Sequence, residues 1–277
     1  MLKITIIGHG FVGKAIDYAF QYDVKKQIID PKYGQYNFGG KFFEKQYADI
    51  NSDITFVCVP TPMSENGTCD TTILENILNN LKNTKCGIII IKSTIPPNIL
   101  FDIDTSMEIV YSPEFLTEKN ANEDIINPSI QVFGGNKDMT EMVEQYYKDY
   151  SICKPCPTFH MSLTDASFVK YGINCFLATK VLWYNELYDV INKFGGNFGK
   201  VINAIGTDPR IGQSHTRVPG FDGKRGFGGA CFPKDLSAWV NFTDQMPILE
   251  YVIKKNNAYR LQYEKDDREK EQNVSYE

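Results

Sequence analysis

The stretch LKITIIGHGFVGKAIDYAF, residues 2–20, decides the fold. LKITIIG, residues 2–8, is a short, almost unbroken run of aliphatic and β-branched residues, which predicts a strand covered on both faces. Gly8, Gly10 and Gly13 then form G-x-G-x-x-G, and from Phe11 onward the apolar residues fall at helical spacing. A glycine turn between a buried strand and a helix brings backbone amides close to a pyrophosphate. The partial positive charge of the helix N-terminus then holds the anion.

Working outward, KQIID (26–30) predicts a second strand ended by Asp30, seventeen residues after Gly13. A carboxylate at that place bonds a ribose 2′-hydroxyl and repels a 2′-phosphate, so NAD is expected over NADP. Phe11 and Val12 belong to the same turn, and Lys32 stands beside the acid. SDITFVCVPTP (52–62), CGIIIIKST (86–94), EIVYSPEF (108–115) and IQVFGG (130–135) predict further strands. TTILENILNNLKN (71–83) and KDMTEMVEQYYKDY (137–150) predict helices between and after them. Repeated strand–helix–strand units predict a doubly wound α/β domain with a parallel sheet, over residues 1–160.

The texture changes after Pro157. From Leu163 to Lys193 there is no proline and one glycine, and Ala166, Val169, Ile173, Phe176, Leu177, Val181, Tyr184 and Leu187 make a helical stripe. This predicts one long amphipathic helix opening an all-helical domain over 161–265. Residues 206–230 are rich in glycine and proline, and a loop of that length inside a compact chain usually serves function. PKDLSAWVNF and PILEYVIKKNNAYR predict helices. Residues 266–277, charged and almost without aliphatic side chains, are expected to fray.

Composition narrows the function classes. The 277 residues are 42% hydrophobic and 23% charged, with 29 Lys plus Arg against 34 Asp plus Glu. A net charge of -5 gives no general affinity for nucleic acid or an anionic membrane. No apolar run approaches the ~20 residues of a membrane span, and the N-terminus reads as a strand, not a signal peptide. The seven cysteines are scattered, and the C-x-x-C of Cys153 and Cys156 has no second pair, so no metal is expected. Reduced thiols in the cytoplasm are the simplest account.

Chemistry concentrates elsewhere. In GFGGACFPKD (226–235), Pro233 suits the first turn of a helix and places Cys231 just ahead of it. That position favours the nucleophilic thiolate, with Lys234 adding positive charge and Asp235 a hydrogen-bonding carboxylate. Lys170 and Asn174, four apart, share one face of the long helix and suit an oxyanion or a sugar hydroxyl. In SPEFLTE, Glu114 and Glu118 are also four apart, and either can act as a base toward water.

Taken together, GHGFVG, VPTP (59–62), KSTIPP (92–97), SPEFLTE (112–118), the Lys170/Asn174 helix, DPRIG (208–212) and GFGGACFPKD resemble, in that order, the nucleotide-sugar dehydrogenases that oxidise UDP-glucose or GDP-mannose to the uronic acid. The resemblance implies a Rossmann-type NAD-binding domain followed by a helical substrate and dimerisation domain. It implies a four-electron oxidation in which Cys231 captures an aldehyde as a thiohemiacetal and then carries a thioester. Lys170 and Asn174 match the oxyanion and water-positioning pair, Asp235 the partner of the attacking water, and Thr94 a threonine near the reacting centre. Glu114 and Glu118 match two glutamates, one the hydrolytic base and the other close to cofactor and sugar. Val59, Pro60, Thr61, Ser93, Thr94, Glu118 and Lys234 fall at cofactor positions. Phe115, Leu116, Phe227, Gly228 and Gly229 fall along the sugar nucleotide, with His215 or Lys224 as phosphate contacts. Arg210 matches an arginine that reaches the phosphates from a neighbouring subunit, which implies a homodimer.

Departures accompany the match. Thr117, Ile130 and Asn98 stand where arginine, arginine and glycine are usual. The family's chains continue into a second Rossmann-like domain, so a short form lacking it is expected. UDP-glucose is the first substrate expected, with GDP-mannose or another nucleotide sugar open. A β-hydroxyacid dehydrogenase shares the glycine turn and long helix but needs no cysteine in such a loop. A relative that binds NAD or a nucleotide sugar without turnover, or that needs a partner chain, is the remaining alternative.

Overall fold

The computed structural model describes residues 1–33, 47, 49–103, 106–117 and 120–277. Glu118, expected at the site, lies outside the described residues. The chain divides into two compact units, one of Met1–Thr61 with Asp70–Lys170 and one of Pro62–Cys69 with Tyr171–Glu277.

The first unit runs β1 (Leu2–Ile7), α1 (Phe11–Ala19), β2 (Val24–Ile29), β3 (Ile54–Val57), α2 (Thr72–Leu81), β4 (Ile88–Ile91), α3 (Pro97–Phe101), β5 (Ile109–Tyr111), α4 (Ala121–Ile126), β6 (Gln131–Gly135), α5 (Lys137–Tyr150) and β7 (Thr158–Met161), then enters α6 (Leu163–Lys193). Among the described residues the strands make one seven-stranded sheet in the order β2-β1-β3-β4-β5-β6-β7. The pairs from β2 through β5 are parallel, as the strand–helix alternation predicts.

The isoleucine runs explain the sheet's two covered faces. In β4, Ile88 and Ile90 enter one hydrophobic cluster with Ile4, Ile6, Ile54 and Phe56, while Ile89 and Ile91 enter the other with Ile7, Val57 and Tyr111. Alternate residues of a strand point to opposite faces, so only an unbroken apolar run can fill both. The cluster that holds Ile88 and Ile90 is closed by Phe20, Phe56 and Tyr147, whose rings meet 4.9 to 6.3 Å apart. Helix α2 packs through Leu74, Ile77, Leu78 and Leu81, at the spacing of one helical stripe.

Two features go beyond the expected parallel sheet. Strand β6 runs antiparallel to β5, with Val110 opposite Gly135, and β7 pairs parallel with β6. In β7 the middle residues, Phe159 and His160, are exposed, so this edge strand lacks the continuous apolar run that marks the others.

In the second unit, α6 is followed by α7 (Phe198–Thr207), α8 (Phe232–Phe242), α9 (Pro247–Arg260) and α10 (Asp267–Glu271). Tyr171, Ala178, Leu182, Leu236, Trp239 and Leu249 belong to its core, with Tyr171 and Trp239 stacked at 5.3 Å. The long helix has the bounds its stripe predicts. The boundary does not fall at residue 160: the first turns of α6 belong with the sheet, where Leu163, Ala166 and Val169 join its core and Ser167 Oγ donates to the Ile95 carbonyl.

The chain end is a correction. Residues 266–277 do not fray. Asp266 and Glu269 cap α10 reciprocally in a capping box, and Glu269, Val274 and Tyr276 are buried. Composition alone misses this because a charged segment is held when its charges find buried partners.

Candidate active site

The glycine turn is shaped by contact. Gly8 has φ +85, and a side chain on it would press into the Cys58 carbonyl; one on Gly13 would collide with the Gly8 carbonyl. Gly10, the N-cap of α1, has nothing within 4 Å of where a Cβ would stand. Two of the three glycines are thus demanded by close backbone contact, and the third keeps its face open. Phe11 and Val12 begin the helix, half-buried. Asp30 is buried just after β2; its Oδ2 accepts the His9 amide at 2.6 Å and its Oδ1 the Lys32 amide at 2.8 Å. The carboxylate is therefore held against the glycine turn, and two oxygens carry about four acceptor positions, so capacity for a hydroxyl remains. The Lys32 side chain is exposed.

The segments after β3 and β4 lock together. Ser93 Oγ donates to the Val59 carbonyl at 2.6 Å, and Thr61 Oγ1 donates to the Thr94 carbonyl at 2.8 Å, leaving Pro60 exposed. In the same unit, Lys170 Nζ donates to the Glu114 carbonyl at 2.6 Å and pairs with its carboxylate at 3.2 Å. Glu114 also accepts the Leu116 amide at 2.7 Å, and the Phe115 ring lies 5.5 Å from the Lys170 ammonium. Both charges are nearly buried, so the pair is well defined in position.

One residue here carries no sequence signal beyond its place in KSTIPP. Lys92 is buried, and burial pushes its pKa down to about 8, against the opposing pull of Cys58, Glu114 and Cys153. Its Nζ donates to Ser112 Oγ at 3.1 Å. It lines a cavity of about 230 Å³ with Ser112, Glu114, Phe115, Asn127 and Tyr147. Spacing alone does not distinguish a buried lysine from a solvated one.

In the second unit, Cys231 is the N-cap of α8 and is exposed, with Pro233 in the first turn. Behind it, Asp235 is buried; its Oδ1 meets Lys234 Nζ at 2.5 Å and its Oδ2 accepts from Asn174 Nδ2 at 2.6 Å. Burial works to lower the Lys234 pKa, but the charges of Asp235 and Cys231 outweigh it and raise it above the usual lysine value. Burial pushes the Cys58 and Cys175 thiols up to about 12, which disfavours their thiolates. No cysteine is in a disulfide, and among the described residues no group of His, Cys, Asp and Glu is arranged to hold a metal.

The remaining expected residues are dispersed around the loop. Arg210 is exposed and forks onto Asp208, Nε to Oδ1 at 3.0 Å and Nη2 to Oδ2 at 2.6 Å. His215 sits at φ 62 with its ring 5.7 Å from Phe232; its Nδ1 is buried without a partner, and burial and Lys180 hold its pKa below the usual value. Lys224 Nζ donates to the Glu264 carbonyl. Phe227 is buried in the helical core, and Gly228 and Gly229 are half-buried, Gly229 at φ +78.

Three side chains that spacing does not mark out hold this loop. Asn185 Oδ1 accepts the Gly226 amide at 3.0 Å, Asn256 Oδ1 the Phe227 amide at 2.7 Å, and Glu269 Oε1 the Gly229 amide at 3.1 Å. The last two lie 29 and 40 positions from their partners, beyond the reach of any local motif.

Residues 33–151 match the NAD binding domain of the UDP-glucose/GDP-mannose dehydrogenase family, and residues 164–258 match its central domain. A UDP-glucose 6-dehydrogenase of Rickettsia felis is 34% identical over 221 residues, covering 74% of this chain and 48% of that protein. The UDP-glucose 6-dehydrogenase TuaD of Bacillus subtilis is 29% identical over 227 residues, covering 76% and 47%. The chain spans about half the length of these curated relatives. The solved structure of a UDP-glucose dehydrogenase from Pyrobaculum islandicum superposes with a TM-score of 0.76 at 25% identity, covering 93% of this chain and 68% of that one. With both matched domains in order, an interlocked sheet of the expected kind and a cysteine at the mouth of a helix, the chain belongs to the UDP-glucose/GDP-mannose dehydrogenase family.

Proposed function

We propose that this chain oxidises the primary alcohol of UDP-glucose to the carboxylate of UDP-glucuronate, with NAD as acceptor and Cys231 as covalent nucleophile. The observation that carries the reading is Cys231 itself: exposed at the N-terminus of α8, within the field of Lys234, with the Asp235–Asn174 pair buried behind it. A thiolate gains from the helix terminus and from the neighbouring cation.

The glycine turn fits NAD: the open face at Gly10 admits a pyrophosphate to the α1 N-terminus, and Asp30 is held where a ribose hydroxyl is bonded. When bound, NAD supplies the hydride acceptor for both oxidations. The chain's own residues handle carbon, sulfur and protons. Cys231 Sγ adds as thiolate to the aldehyde carbon, and the resulting oxyanion is stabilised by Lys170 and Asn174 until a proton arrives. Loss of that proton and of the second hydride leaves a thioester on Sγ. Glu114 or Glu118 removes a proton from water, which attacks the carbonyl carbon. The C–S bond breaks, and Cys231 leaves as the thiolate. One alcohol and one water thus become one carboxylate, with two hydrides transferred and three protons released.

A homodimer belongs to the same reading. Phe176, Trp183 and Val190, spaced by seven along α6, are 68%, 66% and 53% exposed, a stripe suited to a second copy of the helix. Arg210, exposed on its loop, is assigned to the neighbouring copy's substrate phosphates. No described helix is long and apolar enough to cross a membrane, and cysteines outside disulfides support a cytoplasmic placement.

The test is the count of NADH formed per UDP-glucose by the purified chain. Two per sugar, lost in Cys231→Ala, is expected. One per sugar, or unchanged turnover in that variant, overturns the covalent mechanism, and turnover with GDP-mannose alone replaces the substrate.

A further inference from the structure

We propose that the segment from Glu264 to Glu277 is a strap that sets the shape of the Cys231 loop, with Glu269 as its positioning residue. Glu269 is fully buried and faces four donors. Its Oε1 accepts from the Gly229 amide at 3.1 Å, Arg260 Nη2 at 2.7 Å and Tyr276 OH at 2.6 Å; its Oε2 accepts the Asp266 amide at 2.9 Å. Gly229 is two residues ahead of Cys231, so the carboxylate holds the last free turn before the nucleophile.

The same network reaches the loop's other end. Arg260, 1% exposed, donates Nη1 to Asp222 Oδ2 at 2.7 Å, and Asp222 Oδ1 accepts the Lys224 amide at 3.0 Å. Lys224 in turn donates to the Glu264 carbonyl. A side chain on Gly228 would collide with both Arg260 Nη2 and Glu269 Oε1, so the loop backbone lies directly on the ion pair. The strap is itself anchored: the Met63 amide donates to the Gln272 carbonyl at 3.0 Å, and Lys265 Nζ to the Val274 carbonyl at 3.1 Å. Burial opposes the charge on Glu269, yet Tyr276, the Asp266 and Gly229 amides and Arg260 together keep its pKa below the usual value. The carboxylate is thus an ionised fixture of the loop.

The catalytic part of this inference rests on the function proposed above; the mechanical part does not. Glu269→Gln keeps the shape and removes the charge facing Arg260. The expected result in the full chain is about tenfold faster amide exchange at residues 226–229, the order of one lost charge-assisted hydrogen bond. Alkylation of Cys231 by iodoacetamide should slow at neutral pH, its pH profile moving upward as Sγ leaves the helix terminus. The kcat falls while the KM for NAD is unchanged. A lower melting temperature with unaltered exchange and alkylation overturns the strap. Should Glu269→Gln fail to fold, Tyr276→Phe removes a single donor and gives the same readouts in smaller measure. If the parent chain turns over no nucleotide sugar, the catalytic reading fails, and exchange and alkylation still decide the strap.

Discussion

Two glycine-rich turns in this chain lead into helices, and they are built on different terms. The turn at 8–13 is shaped by close backbone contact: Gly13 is forced by the Gly8 carbonyl inside the turn and Gly8 by the Cys58 carbonyl of the segment after β3, while the partner acid, Asp30, directly follows the next strand. The turn at 226–231 is held from outside, its amides taken by Asn185, Asn256 and Glu269 from α6, α9 and α10. The first can be recognised from a dozen residues. The second depends on side chains brought in by tertiary structure, which makes its conformation sensitive to changes far along the chain.

The largest expected effect separates chemistry from shape. Cys231→Ala should reduce uronate formation to background while leaving the urea midpoint and NAD affinity as they are, since the side chain is exposed. Loss of stability in this variant would mean that the cysteine is part of the loop's scaffold.

Within the first turn, Gly13→Ala should cost about 3 kcal/mol or more in urea unfolding, because the added methyl meets a backbone carbonyl. Gly10→Ala should cost only about 1 kcal/mol or less, yet weaken NAD binding by calorimetry, because its surroundings are empty in the structure. Equal stabilities for the two would break the claim that this turn is shaped by close backbone contact.

Lys92 asks whether the sheet unit is built for stability throughout. Its pKa of about 8 lies below the ordinary 10.5, so the folded state holds its proton less tightly than the unfolded chain does. The cost is fully present below pH 8 and disappears as pH rises toward 10.5; by that shift it is roughly 3 kcal/mol. Lys92→Met should therefore stabilise at neutral pH and flatten the rise of unfolding free energy with pH between those limits.

For the second turn, Asn256→Ala should cost about 2 kcal/mol, since it strands both the amide and the carbonyl of buried Phe227. Turnover should fall although residue 256 is 25 positions from Cys231. The smallest effect on protomer stability belongs to Trp183→Glu, within about 0.5 kcal/mol, because the ring is exposed. If the proposed pairing through α6 holds, light scattering should report a dimer for the parent chain and a monomer for this variant; the same mass for both would remove the α6 stripe from the proposal.

Sequence legibility follows the same division. The isoleucine runs announced a sheet covered on both faces because strand periodicity is local, and the α6 stripe gave that helix its bounds. Edge strand β7 escaped because it is half exposed, and the antiparallel β5–β6 pair because pairing direction is not written in either strand. Cys231, Lys234 and Asp235 were legible as a motif, since all three sit within one turn of α8. Lys92 was not, because burial of a lysine depends on what other segments pack over it.

What the sequence determined alone is the alternation of buried strands and helices, the glycine turn and the cysteine ahead of a helix, all products of short-range sterics and periodicity. Only the tertiary structure decided that the charged chain end is folded, that Glu269 and Arg260 pair in the interior, and that both lie against the Cys231 loop. The physical reason is desolvation: a buried charge is tolerated only where its partners converge from distant segments, and no local pattern records that convergence.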